Sequence, residues 1–273
     1  MRISTYLVQI RRLVGGEGFE KDMKRYFDMG VTAADVVESE LADHTLAEYD
    51  GAIRASGMKF GSFVSITDIV TARGNELLKN RSIVKGYIDE LNRIGVPIIM
   101  LAPQVNVAKS REEFYDMRER MVEAYGKMAD YAEGSGVRVT IENQSVPQRA
   151  DSYIRDCRYI LDRVPNLDFV FDAGNFYCVG DDVLEAWDVL GDRSIHCHLK
   201  DWEACEYSTI IRQNLPPLRS SVMGSGLLPL RELLTRMKRD GYNGRVLLEI
   251  NGTPFTTELM DKSVEFMKEY CDV

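Results

Sequence analysis

Ser194-Ile-His-Cys-His-Leu-Lys-Asp201 carries two of the three histidines in the chain. Side chains of a β-strand alternate between faces, so His196, His198 and Lys200 point the same way. Three other apolar runs each end in one carboxylate: Val137-Arg-Val-Thr-Ile-Glu142, Leu167-Asp-Phe-Val-Phe-Asp172 and Arg245-Val-Leu-Leu-Glu249. Strands that close on an acid or a histidine, spaced along an alternating β/α chain, predict a metal site at one end of a parallel barrel.

The rest of the chain keeps the alternation. Strands are predicted within Ile3–Ile10 and at Val31–Glu38, Met58–Ile66, Val96–Leu101, Val137–Glu142, Leu167–Asp172, Ser194–Lys200 and Val246–Glu249. A turn at Gly15-Gly16-Glu17-Gly18 leads into a helix over Phe19–Met29, and Asp43 or Thr45 caps the next at Leu46–Ala55. Further helices are predicted at Asn75–Ile94, Arg111–Glu133 with Ser110 as cap, Asp151–Asp162, Asp181–Leu190, Pro229–Arg239 and Thr256–Tyr270. Eight strands and eight helices in strict alternation imply parallel strands joined by right-handed crossovers. In a chain of 273 residues that is a single (β/α)8 TIM-barrel domain, residues 1–273. The doubly wound open sheet is the rival, and no GxGxxG follows the first strand.

Composition narrows the partners. The chain has 34 basic and 43 acidic residues and a net charge of -9, which argues against a nucleic-acid partner. Five cysteines without a CxxC pair read as reduced thiols. The N-terminal apolar run is broken by Gln9, Arg11 and Arg12, and no long apolar stretch follows, so a soluble, cytoplasmic protein without a membrane partner is expected.

Glu142, Asp172, His198 and Glu249 end the fifth to eighth strands, at the end of the barrel where active sites sit. Carboxylates and imidazole without thiolate suit Mn2+, Mg2+, Co2+ or Zn2+. A single strand-terminal acid is ordinarily a cap, and Asp172-Ala-Gly-Asn175 alone could be an Asx turn. Four candidates on four successive strands are harder to ascribe to chance, and three carboxylates buried together need a cation. His196 lies a layer deeper, where a hydrogen-bonded barrel residue is expected, and Cys197 on the opposite face packs against a helix. Lys200 either meets a phosphate, carboxylate or alkoxide of a substrate or pairs with Asp201 or Glu203. Glu38, ending the second strand, either reaches substrate or serves a cap or ion pair. The long link Asp201–Leu228, with Arg212, Arg219 and two prolines, is expected to be functional.

The set Ile141-Glu142-Asn143, Phe171-Asp172-Ala-Gly-Asn175, His196-Cys-His198-Leu-Lys200-Asp201 and Leu248-Glu249, with Gly224-Ser-Gly226 before a Leu-Leu-Pro-Leu run, resembles the sugar phosphate isomerase/epimerase superfamily of xylose isomerase-like TIM barrels. The resemblance spans essentially the whole chain. It implies a divalent metal, most often manganese, held by Glu142, Asp172, His198 and Glu249. In the ketose 3-epimerases of that family the two metal-bound glutamates also carry a proton to and from the substrate carbon, and Glu142 and Glu249 take those positions. The chain departs from the epimerase pattern at Asn175, where a histidine is usual, at Gln148, where an acid is usual, and at Ala204, where an arginine is usual. Asn175, Lys200 and Glu38 complete the candidate substrate contacts.

The activity implied is a metal-dependent isomerase or epimerase acting on a sugar, sugar phosphate or polyol through an enediolate. The alternatives are a dehydratase of an inosose- or dehydroshikimate-like substrate, which starts with the same proton removal, and a sugar-binding barrel without turnover. An endonuclease IV-like repair enzyme fits poorly, since its metal cluster needs several histidines and phosphate-binding cations. The partner expected is a small carbohydrate, with a homo-oligomer left open.

Overall fold

The computed structural model describes residues 1–13, 19–42, 44–207, 216–251 and 255–272. Its strands are β1 (Arg2–Tyr6), β2 (Val31–Val37), β3 (Lys59–Ser65), β4 (Ile98–Leu101), β5 (Arg138–Glu142), β6 (Asp168–Asp172), β7 (Ser194–Leu199), β8 (Trp202–Ala204), β9 (Leu218–Ser220) and β10 (Arg245–Leu248). Its helices are α1 (Leu7–Leu13), α2 (Phe19–Asp28), α3 (Leu46–Ala55), α4 (Gly74–Ile94), α5 (Arg111–Ala132), α6 (Ile154–Arg163), α7 (Ala173–Val179), α8 (Val183–Leu190), α9 (Leu230–Arg239) and α10 (Thr257–Met267). Eight strands close a barrel in the order β1-β10-β7-β6-β5-β4-β3-β2, every pair parallel. This is the predicted TIM barrel.

Local chemistry explains where the elements stop. Thr45 caps α3 in a reciprocal capping box with Glu48, and Ser110 caps α5 by accepting the Glu113 N–H. Along α5, Met117, Met121, Ala124, Tyr125, Met128 and Ala132 recur at helical spacing and bury one face against the barrel. Gly95 ends α4 at φ 76°, a left-handed conformation that costs glycine nothing.

Two layers of apolar side chains result. The outer core lies between strands and helices and includes Ile3, Phe63, Ile99, Ile141 and Phe171. The inner cluster, Tyr6, Val64, Met100, Val170 and Leu247, fills the barrel axis beneath the rim.

Several predicted boundaries are corrected. The first strand stops at Tyr6, and Leu7–Leu13 is helical, burying Leu7 and Ile10 one turn apart. A short apolar run satisfies strand and helix spacing alike, so the pattern could not separate them. The helix predicted from Asp151 starts at Ile154, because the Asp181 carboxylate accepts the Ile154 N–H while Asp151 binds Arg149. Strict alternation also fails locally: two helices, α7 and α8, lie between β6 and β7, and β8 and β9 form an antiparallel pair inside the link after β7. The Gly15–Gly18 turn, the Asp43 cap and Arg212 lie outside the described residues. Among the described residues, no helix is long and apolar enough to cross a membrane.

Candidate metal centre

The C-terminal ends of four adjacent strands bring the four candidate ligands together. Glu142 ends β5, Asp172 ends β6, His198 lies in β7, and Glu249 follows β10 with its N–H donated to the Leu199 carbonyl at 2.9 Å. One donor atom from each lies within 4.8 Å of the others. His198 Nδ1 is 2.6 Å from Glu142 Oε1 and 3.4 Å from Glu249 Oε2. Lys200 extends over the same group: its ammonium contacts Asp172 Oδ2 and lies 3.1 Å from Glu249 Oε2 and 3.4 Å from Asn175 Oδ1.

The carboxylates are oriented by a set of amides. Asn143 accepts the Asp172 N–H and donates to the Asp172 carbonyl, both at 2.9 Å, which locks the ends of β5 and β6 together. Asn175 Nδ2 donates to the Asn143 carbonyl at 2.9 Å, and Asn251 Nδ2 donates to Glu249 Oε1 at 2.8 Å. Asp172 has two tasks: Oδ1 caps α7 through the Asn175 N–H at 2.8 Å, while Oδ2 meets Lys200.

Sequence reasoning passed over Tyr6, whose hydroxyl is 3.5 Å from His198 Nδ1 with the rings edge to face. A first strand drawn as far as Ile10 hid the fact that Tyr6 is its last, rim-facing residue. Asp201 was also missed. Its carboxylate accepts four backbone N–H groups, from Trp202, Gly224, Gly226 and Leu228, and ties the link after β7 to the barrel. Gly226 follows from this, since a Cβ there would stand 2.2 Å from Asp201 Oδ1, whereas a Cβ at Gly224 would meet the Phe266 ring.

The remaining candidates lie elsewhere. Glu38 is turned toward the β3 end, where its oxygens accept from Ser65 Oγ, the Ile66 and Thr67 N–H groups, Thr67 Oγ1 and Tyr87 OH. Gln148 and Ala204 are exposed and off the cluster. Cys197 packs in the outer core, where burial drives its thiol up to about 12 despite a hydrogen bond with Tyr242. His196 Nε2 lies 2.8 Å from Asp35 Oδ2, inside the barrel. Burial pushes the Asp35 carboxyl up, but His196 and the Ser62 hydroxyl outweigh it and hold it below the ordinary carboxylate value. A cavity of about 690 Å3 opens among Arg2, Arg138, Ser194 and Arg245, where the barrel strands begin, away from these groups.

Three buried carboxylates face one ammonium and one imidazole, and they titrate as a group. Burial and the neighbouring Glu142 and Glu249 raise Asp172 in spite of Lys200. Burial also pushes Glu142 and Glu249 up, but His198 and Lys200 hold both below the ordinary value. For His198, burial acts downward and the two glutamates lift it to about 10. The donor set fits a divalent cation: oxygen and imidazole donors converge within 4.8 Å, and one ammonium and one imidazole leave three buried carboxylates short of charge balance. Glu142, Asp172, His198 and Glu249 are the residues that could hold it.

The chain belongs to the xylose isomerase-like TIM barrel family, whose model matches residues 17–270. No protein of curated function matches it. Among solved structures it is similar to the IolI protein with a bound zinc atom, at 16% identity, full coverage of both chains and a TM-score of 0.77. D-psicose 3-epimerase with D-tagatose from Clostridium cellulolyticum H10 is 15% identical, with 100% of both chains covered and a TM-score of 0.75. The probable 3-DHS dehydratase AsbF from Bacillus anthracis is 13% identical over 98% of this chain and 99% of its own, with a TM-score of 0.73. At these identities the likeness is one of fold.

Proposed function

We propose that this protein is a divalent-metal-dependent isomerase or epimerase that moves a proton at a carbon beside a carbonyl of a sugar, sugar phosphate or related polyol. The observation that carries the reading is the convergence of Glu142, Asp172, His198 and Glu249 within 4.8 Å at the C-terminal mouth of the barrel. Buried carboxylates in that number are unfavourable without a cation; the donors suit manganese, magnesium, cobalt or zinc, and the family resemblance favours manganese. Bound there, the cation supplies Lewis-acid polarisation of a substrate oxygen and acidifies the neighbouring C–H.

The chain's own groups supply the proton transfer. Glu142 removes the proton and Glu249 returns one, or the reverse for the opposite epimer. Asn251 and Gln144 hold these carboxylates through amide hydrogen bonds of 2.8 and 3.3 Å. The Lys200 ammonium, steered by Asp172 and Asn175, meets an oxygen of the substrate where negative charge develops. Tyr6 closes the β1 side of the site and limits water there.

The test is turnover of a panel of ketoses, sugar acids and inososes in deuterium oxide with added Mn2+, followed by NMR and mass spectrometry. Solvent deuterium at one carbon of a product that has lost no water, and is heavier only by that label, is expected. Glu142→Gln and Glu249→Gln keep an oxygen ligand and remove a base, so each should cut turnover by about 100- to 10,000-fold with a smaller change in bound metal. Normal turnover in both variants would sink the two-carboxylate mechanism. Loss of water from the substrate would assign the dehydratase reading, which begins with the same proton removal.

A further inference from the structure

At the end of the barrel opposite the metal centre, the first residues of two neighbouring strands set arginines side by side. β1 and β10 pair in register, Arg2 beside Arg245 and Ser4 beside Leu247. Leu247 fills the barrel axis, so Arg245, two residues earlier, begins the inward-facing row that ends at Glu249. Arg2 holds the same place on β1, four residues before the inward-facing Tyr6. Arg138 opens β5 in the same way, but its guanidinium is taken by Asp168 at 2.5 Å.

Neither Arg2 nor Arg245 has an acid. Arg2 Nη2 donates to the Asn243 carbonyl at 3.3 Å and Arg245 Nη1 to the Gly61 carbonyl at 3.5 Å, and neither makes an ion pair among the described residues. Elsewhere the chain supplies a carboxylate where it withdraws an arginine from water: Arg149 has Asp151 at 2.6 Å, and Arg118 has Asp156 at 2.8 Å. Like charges opposite one another on adjacent strands are unfavourable. Burial above all, and Arg2 beside it, push Arg245 below its ordinary value, although Asp35 inside the barrel acts the other way. Asp35 is itself engaged by His196 at 2.8 Å and Ser62 at 2.5 Å. Both arginines line the cavity of about 690 Å3, whose apolar wall includes Pro97, Ile98 and Ile195. Three aspartates border it, and each is already held: Asp188 by Arg236 at 2.8 Å, Asp192 by Arg158 at 3.4 Å and Asp240 by Arg239 at 2.9 Å.

We infer that this cavity is a second ligand site, which takes a small oxyanion, a phosphate or carboxylate group, between the guanidiniums of Arg2 and Arg245. The planar fork of an arginine matches two oxygens of either group. A bound anion offsets the repulsion within the pair and accepts from the N–H donors that the Asn243 and Gly61 carbonyls leave over. The cavity has the volume of a small-molecule site, and its apolar wall suits a ligand with a short carbon body. The site is separate from the metal centre: Arg245 and Glu249 stand at opposite ends of one strand, roughly 13 Å apart, with Leu247 between them.

The probes are inorganic phosphate and malonate, each compared with sodium chloride at equal ionic strength, in calorimetric titrations and thermal melts of the full-length protein. Wild type should bind one or both at a single site and melt higher in its presence than in chloride. A response to phosphate alone identifies a phosphate ligand, and a response to malonate alone a carboxylate. Arg2→Gln and Arg245→Gln should each weaken binding by about 10-fold or more. Without the anion, Arg2→Gln should melt no lower than wild type, because it removes a repulsion; a merely structural arginine would cost stability there. Arg2 is exposed, so its variant keeps the test decisive if Arg245→Gln does not fold. His198→Ala should bind the anion as wild type does, which separates this site from the rim. No binding beyond the chloride control, full affinity in Arg2→Gln, or loss of binding in His198→Ala would each overturn the inference and leave the metal centre standing.

Discussion

His196 and His198 share one strand, one face and full burial, yet the structure gives them different neighbours. His198 meets two rim carboxylates and the Tyr6 hydroxyl, whereas His196 meets Asp35. His198→Ala should therefore abolish stoichiometric Mn2+ or Zn2+ binding with the fold intact, while His196→Gln, which keeps a donor toward Asp35, should retain the metal. Elemental analysis of the purified variants checks both, and equal loss in the two would mean that the cation sits lower than the rim. At this scale the sequence was legible wherever a residue closes a strand. Period-two alternation and a terminal acid suffice to bring Glu142, Asp172, His198 and Glu249 together. It was less legible where a residue serves another residue: Asn143, Asn251 and Asp201 work through partners 29, 2 and up to 27 positions away, and no local pattern marks such pairs.

Among the elements, α3 offers the cleanest energetic test, because its capping box lies on the surface away from the rim. Glu48 Oε2 accepts the Thr45 N–H at 2.7 Å and the Thr45 hydroxyl at 2.8 Å, and these bonds hold the Glu48 carboxyl below its ordinary value of 4.5. A carboxyl depressed in the folded state contributes stability that is present above the unfolded value and lost as pH falls through the folded one. Thr45→Ala should cost about 1 kcal/mol at neutral pH. That deficit should shrink progressively in urea melts run well below pH 4.5, as pH falls through the depressed folded value and the wild type loses half of its box. An equal deficit at both pH values would show that the carboxylate contributes nothing. The type and order of the barrel elements could be read from the sequence, because long helices and apolar strands state their period many times over. α1 and α7 could not: seven residues of helix give too few repeats to outvote a neighbouring strand.

For the molecule as a whole, a cation bound at the acid-lined mouth, as proposed, would couple to folding. A cation held by the native state alone, at about 100 times its dissociation constant, adds about 2.7 kcal/mol of stability. For a domain of this size that is a rise in Tm of about 5–10 °C. Mn2+ should raise the melting temperature of wild type by that amount, EDTA should reverse it, and His198→Ala should show no response. A response of equal size in the variant would point to cations bound elsewhere on an acidic surface. The antiparallel β8–β9 pair has a different consequence. Trp202, Glu203 and Ala204 pair with Ser220, Arg219 and Leu218, Cys205 N–H reaches the Pro217 carbonyl at 2.9 Å, and Asp201 anchors the far side. Cys205 and Pro217 thus stand side by side at one stitched neck. A cassette of different length or composition can be spliced in at that neck at little cost to the barrel, because closure entropy grows slowly with loop length. Such chimeras should melt within a few degrees of the parent, which makes this neck a port through which the chain can be varied without rebuilding the barrel.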